Sequence, residues 1–353
     1  MLEDLQSFKA TLDKEMNSFL TKELSHYKDI SSQPEINGLL HQLTAISSGG
    51  KRIRPFLAWT LYSKNTQQPK VSDILPLLLA IEFFHIFCLI HDDVMDEAEE
   101  RHGQPTIHSH AYNNYYQGSD EIKRRRISDN QAILIGDILF NSVFKLLRQF
   151  RLLQPKNFDE IESVFMQLVD EVCVGQMIDV HLTALPQAGI ETIQEKNRLK
   201  TAMYSFARPL HLGTLVSERK DLSNVAVELG ISLGQFYQIQ DDLLDVVGDI
   251  TKVKKPLLQD VVQNQHTILS AYIRENAPAS ATVLNSYIGK DLTTTDIEEL
   301  QKVFSDSGAI AYAEETLAKY ESEILSLIQS SHLSESDALL FTDILQLMHK
   351  RIT

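Results

Sequence analysis

Two short runs of carboxylates are the residues whose spacing could do chemistry. His91-Asp92-Asp93-Val94-Met95-Asp96 closes an apolar stretch that begins at Ile74, and Gln238-Ile239-Gln240-Asp241-Asp242-Leu243-Leu244-Asp245 closes another that begins near Val225. In each run two aspartates stand four residues apart, Asp92 with Asp96 and Asp241 with Asp245, so on a helix both carboxylates leave the same face. Like charges so placed cost helix stability, and carboxylates on two apolar helices repel one another unless something cationic lies between them. Hard oxygen ligands suit Mg2+, which keeps several waters and bridges carboxylates to phosphate oxygens. One such pair is as compatible with a solvated helix end. Two of them, about 150 residues apart and each at the mouth of an apolar helix, point to metal-assisted chemistry on a phosphate-bearing substrate.

A third constellation supplies fixed positive charge. Gly49-Gly50-Lys51-Arg52-Ile53-Arg54-Pro55 places Lys51 and Arg54 three residues apart at a helix start, with Pro55 suited to the first turn. Basic groups there run against the helix dipole, so stability alone would not select them, whereas the backbone N–H groups of a helix start favour an anion. A surface charge pair is the plainer reading; a second anion site, separate from the metal cluster, is the functional one.

The elements that must position these groups are helices. Gly is 14 and Pro 10 in 353 residues, period-2 alternation is scarce, and helical spacing recurs near 2–28, 35–46, 53–63, 72–97, 129–150, 157–183, 192–218, 222–246, 259–275, 295–304, 307–330 and 335–350. Capping-box patterns at Ser128/Gln131, Thr192/Glu195, Thr295/Glu298 and Ser334/Asp337 support several of these starts. No self-similar repeat and no Pro/Gly-rich linker interrupts the chain, which predicts one large all-α domain over residues 1–353. The one long joint, residues 102–128, reads as an irregular polar loop, and its Lys123–Arg126 run as solvated charge.

Charge and composition narrow the function. Lys and Arg number 33 against 48 Asp and Glu, a formal charge of −15, which argues against a general nucleic-acid binder, since phosphate contacts need a basic face. Cys88 and Cys173 lack metal or disulfide spacing, and the charged N-terminus lacks the apolar core of a signal peptide. The apolar stretch from Ile74 to Ile90 carries Pro76, Glu82 and His85, which predicts a buried core helix, with no transmembrane segment and a cytoplasmic location.

With these residues in place, the chain resembles the trans-isoprenyl diphosphate synthases, the family of farnesyl, geranylgeranyl and longer polyprenyl diphosphate synthases. The resemblance runs in order through GGKRIRP at 49–55, HDDVMDEAEERHGQP at 91–105, GDILF at 136–140, GQMID at 175–179, KTAMYSF at 200–206 and QIQDDLLDVVGD at 238–249. It implies a single all-α domain around a central cavity, a homodimer, and condensation of isopentenyl diphosphate with an allylic diphosphate. It further implies about three Mg2+ per active site, held by Asp92, Asp96 and Asp241 with Asp245 in support. Arg101, Lys200 and Lys255 would grip the allylic diphosphate, and Lys51, Arg54 and His85 that of isopentenyl diphosphate. Thr201 and Gln238 would line the reacting carbon, and Gln176 and Asp179 would face the same cavity.

Two departures stand out. The family's Arg-Arg-Gly after the first motif is Arg101-His102-Gly103 here; histidine lacks arginine's fork and permanent charge, which predicts weaker or pH-sensitive binding of isopentenyl diphosphate. A later family lysine falls in Gln265-His266-Thr267, with His266 in its place. Phe87 and Cys88 stand five and four residues before Asp92, and Phe87 would lie roughly 7–8 Å below the metals and Phe84 about 12 Å below. One aromatic beside a smaller residue resembles a geranylgeranyl-type (C20) floor, with farnesyl (C15) next. A terpene cyclase would carry a different second metal motif. A non-catalytic partner subunit of a heteromeric synthase would usually lose the aspartates, which this chain keeps. A helical scaffold needs repeats, and a calcium buffer needs an EF-hand loop; neither is present.

Overall fold

The computed structural model describes residues 1–101, 103–154, 156–248 and 257–349. They form two compact units, one of Leu2–Glu162 and the other of Ser163–Thr353 with Met1. Both are helical; the described strands are two of two residues each, paired as a hairpin.

The first unit contains α1 (Leu2–Ile30), α2 (Pro34–Ser47), α3 (Ile53–Asn65) and α4 (Leu75–Met95), then β1 (Glu100–Arg101) paired antiparallel with β2 (Gln104–Pro105), α5 (Ile107–Asn114) and α6 (Glu121–Leu153). Amphipathic spacing explains the packing of α1: Phe8, Leu12, Met16, Leu20 and Leu24 are buried at four-residue intervals, one stripe of a 3.6-residue helix. By length and composition α4 could cross a membrane, but Pro76 through Phe84, Ile86 and Ile90 are buried against protein, and α4 packs chiefly along α6. Glu82 sits in that core paired with Arg52 at 2.7 Å, both side chains 2% exposed. That is the environment of a core helix, as the sequence predicts.

The joint at 102–128 is more ordered than its polarity predicts. Thr106 caps α5 by accepting the Ser109 N–H, and Asp120 caps α6 by accepting the Lys123 N–H. The basic run therefore begins a helix. Arg124 donates to the Tyr112 carbonyl at 2.7 Å and lies 4.1 Å from the centre of that ring, so part of its charge is held locally.

The second unit contains most of α7 (Phe158–Thr183), then α8 (Ile190–Asn197), a π-helix over Arg198–Ala207, α9 (Arg208–Val216), α10 (Ser223–Val247), α11 (Gln259–Val262), α12 (Ile268–Asn276), α13 (Pro278–Asn285), α14 (Thr294–Asp306), α15 (Ala309–Ser330) and α16 (Glu335–His349). α10 is buried on most sides, from Val225 to Val246, as a central helix must be. The single helix expected at 192–218 is divided by the π-helical stretch, and that expected at 259–275 breaks between Val262 and Ile268, where Asn264 has φ 53°. Of the expected caps, Ser334 donates to the Asp337 carboxylate at 2.6 Å and accepts the Asp337 N–H. The box expected at Thr295 forms two residues earlier, between Thr293 and Asp296. Ser128 and Thr192 lie inside helices instead.

The π-helix is seated by glycines. A Cβ at Gly234 of α10 would collide with the Ala202 Cα and Cβ, and one at Gly175 of α7 would fall 2.5 Å from the Lys200 backbone nitrogen. Helix propensity alone makes alanine about 1 kcal/mol better than glycine, whereas overpacking costs about 1–3 kcal/mol. Gly234→Ala is therefore expected to lower the denaturation midpoint. A raised midpoint would show that the two helices part without cost.

Candidate active site

In the first unit, the anion-binding candidates cluster around one buried ion pair. Arg52 is the N-cap of α3 with φ 57°, left-handed and costly for a residue with a Cβ. It is held there by Glu82 at 2.7 Å, Asp13 at 2.7 Å and the Ser47 carbonyl. Burial works against the guanidinium, but Glu82 and Asp13 outweigh it and push its pKa up. The bridge ties the segment carrying exposed Lys51 and half-buried Arg54 to α4, where His85 lies one turn beyond Glu82. Sequence reasoning passed over both partners. The signal was a glutamate inside an apolar run.

α4 ends in acid. Asp92 is in its last turn, and Asp96 is its C-cap, donating its N–H to the Asp92 carbonyl at 2.8 Å. No basic residue stands in that turn, so the carboxylates oppose the helix dipole. Asp93 between them is buried and takes Arg101, whose Nε and terminal nitrogen both lie 2.6 Å from Asp93 Oδ1; Asp92 Oδ2 is 3.7 Å away. The β1–β2 hairpin returns Arg101 to this point. His102 lies outside the described residues. Phe87 is half-buried and stacks on Phe140 of α6 at 4.8 Å, next to fully buried Phe84.

In the second unit, Asp179 of α7 is buried between two lysines, with Lys200 at 2.5 Å and Lys196 at 3.1 Å. Burial pushes the Asp179 carboxyl up, but Lys196 and Lys200 outweigh it and hold it below the usual range. Half-buried Gln176 stands less than one turn before it on α7. Thr201 Oγ1 donates to Gln238 Oε1 at 2.7 Å, and Gln238 Nε2 donates to Asp242 Oδ1 at 2.8 Å. Lys200 and Thr201 both project from the π-helix, a distortion that recurs at functional sites.

The second aspartate motif ends α10. Asp241 is exposed and Asp242 buried. Asp245 accepts the N–H groups of Gln259 and Asp260, each at 3.2 Å, and its carbonyl accepts that of Leu258 at 2.9 Å. Lys255 lies outside the described residues. Burial pushes the Asp242 carboxyl up to about 7 and raises Asp260 as well. Both line a cavity of about 10 Å3 together with Asp245, Gln265, Thr267 and Arg274 and with apolar residues including Val246 and Phe304, large enough for about one water. His266 is a core residue: Arg274 donates to its Nδ1 at 3.0 Å, so its Nε2–H is the donor to the Leu185 carbonyl at 3.3 Å. That tautomer is neutral, and burial followed by Arg274 lowers its pKa.

Among the described residues, no three His, Cys, Asp or Glu side chains converge as a protein-only metal cage. Carboxylate pairs of this kind fit Mg2+, which takes one or two carboxylates and completes its shell with water and phosphate oxygens.

Comparison with known proteins agrees. The polyprenyl synthetase family model matches residues 34–306. A short chain isoprenyl diphosphate synthase of Methanocaldococcus jannaschii is 30% identical over 73% of this chain and 71% of its own. A geranylfarnesyl diphosphate synthase of Aeropyrum pernix is 28% identical over 77% and 80%. The crystal structure of a geranylgeranyl pyrophosphate synthase from Corynebacterium glutamicum, complexed with isoprenyl diphosphate and magnesium, superposes with a TM-score of 0.88 at 25% identity, covering 98% of this chain and 99% of that one. The chain belongs to the polyprenyl synthetase family. It is a trans-prenyltransferase of the isoprenoid synthase fold.

Two expectations follow from the geometry. Arg52→Ala leaves Glu82 charged and buried, which should cost about 3–5 kcal/mol in urea unfolding, while Arg52→Met with Glu82→Leu should recover most of it. A single variant within 1 kcal/mol of the parent would mean the pair is not structural. Asp242 has a folded-state pKa raised above its unfolded one, so its penalty is absent at acid pH and grows as pH rises from about 4 to about 7. With EDTA present, Asp242→Asn should gain thermal stability over the parent through that window and level off above it. A pH-independent difference would contradict the assignment.

Proposed function

We propose that the protein condenses isopentenyl diphosphate head-to-tail with an allylic diphosphate, and that its product is C20 geranylgeranyl diphosphate, with C15 farnesyl diphosphate next. The observation that carries this reading is the placing of carboxylates against the dipole at the ends of α4 and α10, in a chain of this family. That arrangement costs stability and is useful only where cations gather. Residues 1–353 serve as one all-α catalytic domain. Further support for a homodimer is the apolar surface left exposed on α6 (Ile133, Leu134, Phe144) and on α7 (Met166, Val174, Met177). A cytoplasmic location suits a chain whose apolar helix is a core helix.

Asp92, Asp96 and Asp241 would hold about three Mg2+, with Asp245 in support, and the metal would neutralise diphosphate charge as it develops. Arg101, Lys200 and Lys255 grip the allylic diphosphate, while Lys51, Arg54 and His85, with His102 in the family's arginine position, orient isopentenyl diphosphate. The allylic C–O bond breaks and the diphosphate leaves with the electron pair. Thr201 and Gln238 face the carbon left electron-poor, Gln176 and Asp179 the same cavity, and apolar walls exclude water. The isopentenyl double bond then supplies the electrons of the new C–C bond, and the departing diphosphate takes the proton released. Phe87, braced on Phe140, sets the floor against which the growing chain stops.

The deciding experiment is product analysis with isopentenyl diphosphate and dimethylallyl, geranyl or farnesyl diphosphate, with Mg2+ or EDTA. We expect metal-dependent C20 product, a loss of at least about a thousandfold in kcat for Asp92→Ala or Asp241→Ala, and longer products from Phe87→Ala. Unchanged product length in Phe87→Ala would remove the floor assignment. No product from any starter would favour a non-catalytic partner subunit.

A further inference from the structure

Lys196 is buried, 8% exposed, and has no place in the reaction as set out above. It lies one helical turn before Lys200, and its ammonium reaches Asp179 at 3.1 Å and donates to the His266 carbonyl at 3.0 Å. Asp179 thus sits between two lysines, taking Lys200 on one oxygen and Lys196 on the other. One carboxylate balances one ammonium, so the trio carries a net positive charge. The two lysines are not equivalent. Lys196 is anchored at a second point on the chain segment before α12, and Lys200 projects from the π-helix with a side chain 27% exposed against 11% for Lys196.

This asymmetry solves a problem that a single lysine would leave. If Lys200 alone paired with Asp179, moving its ammonium onto a substrate would strand a buried carboxylate, and breaking a buried pair is strongly unfavourable. With Lys196 fixed on Asp179, Lys200 can leave while the carboxylate stays paired. We infer that Lys196 is a positioning residue that frees Lys200 from Asp179 for the diphosphate of the allylic substrate. The inference rests on the reading that Lys200 binds that diphosphate, and it adds a residue outside the motifs through which the family is recognised. It also gives the chain a buried cation beside His266, whose own imidazole is held neutral by Arg274.

The test is steady-state kinetics on the full-length protein with Mg2+, geranyl diphosphate and isopentenyl diphosphate. Lys196→Gln keeps a donor for the His266 carbonyl and removes the charge. It should raise KM for geranyl diphosphate by about tenfold while KM for isopentenyl diphosphate stays within about threefold. Lys196→Arg should restore the geranyl value. In an Asp179→Asn background, where no carboxylate detains Lys200, Lys196→Gln should have no further effect on that KM. Equal increases in both KM values, no increase, or the same increase in the Asp179→Asn background would each overturn the inference. A crystal structure of the unsubstituted protein with geranyl diphosphate and Mg2+ tests it without any variant. Lys196 should remain within ion-pair distance of Asp179 while Lys200 has moved to the diphosphate, and a Lys200 still on Asp179 refutes the release. Parent protein inactive with both substrates and Mg2+ would instead remove the proposed function itself.

Discussion

Acid at the C-terminal end of an apolar helix is the constraint around which both units are built. The last carbonyls of a helix carry partial negative charge, and α4 and α10 each add three aspartates to that end. The two units meet the repulsion in the same way. In each motif the middle aspartate is buried and committed to a neighbour within its own unit, Asp93 to Arg101 and Asp242 to Gln238. The first aspartate remains nearer the solvent, half-buried at Asp92 and exposed at Asp241. A DDxxD run is therefore not three equivalent ligands. One member ties the helix end to a neighbouring element, Asp93 through Arg101 of β1 and Asp242 through Gln238, which in turn holds Thr201 of the π-helix, and that fixing gives the outer carboxylates a defined place from which to take a cation.

The basic groups follow a matching logic. Lys51 and Arg54 stand on either side of Arg52, which is buried, left-handed and engaged by Glu82, Asp13 and the Ser47 carbonyl. Three charged or polar partners on one guanidinium make a rigid joint, and its bond from the start of α3 to Glu82 of α4 transmits that rigidity to the neighbouring basic residues. Arg101 and Lys196 are likewise held by carboxylates inside their units. Arg52 and Lys196 are each buried by a fixed partner beside a more accessible cation, Lys51 and Lys200. Buried charge is expensive unless paired, so its repeated use in two separate units is hard to account for by stability alone.

Much of this was legible in the sequence, and the reasons for the remainder are specific. Helical periodicity located α1, α4, α7, α10 and α15 because their apolar stripes are long. α6 began earlier than expected because its first two turns, Glu121 to Ser128, are mostly charged and carry only Ile122 and Ile127 as apolar residues, and only the cap at Asp120 marks the start. The aspartate runs and the Lys51/Arg54 pair were visible as spacing. Glu82, Asp93 and Lys196 were not read as partners because each owes its role to a residue outside its own helix: Glu82 to Arg52, Asp93 to Arg101 on β1, Lys196 to Asp179 and to the chain before α12. His266 illustrates the opposite error. By position it reads as a substituted cation, yet the donor from Arg274 fixes its neutral tautomer and assigns it to the core.

The π-helix over Arg198–Ala207 shows why such distances matter. A π-helical turn is rare, and where it occurs it frequently marks a functional site. Here it is seated by small residues: Gly175 beneath Lys200, Gly234 against Ala202 and Gly230 against Ala207. Any of these three with a Cβ would push the segment away from α7 or α10. The wide turn sets the register of Lys200 and Thr201 relative to Asp179 and Gln238, whose hydrogen bonds at 2.5 and 2.7 Å tolerate little displacement. The glycines, which bind nothing themselves, thus decide whether those two directional bonds can form.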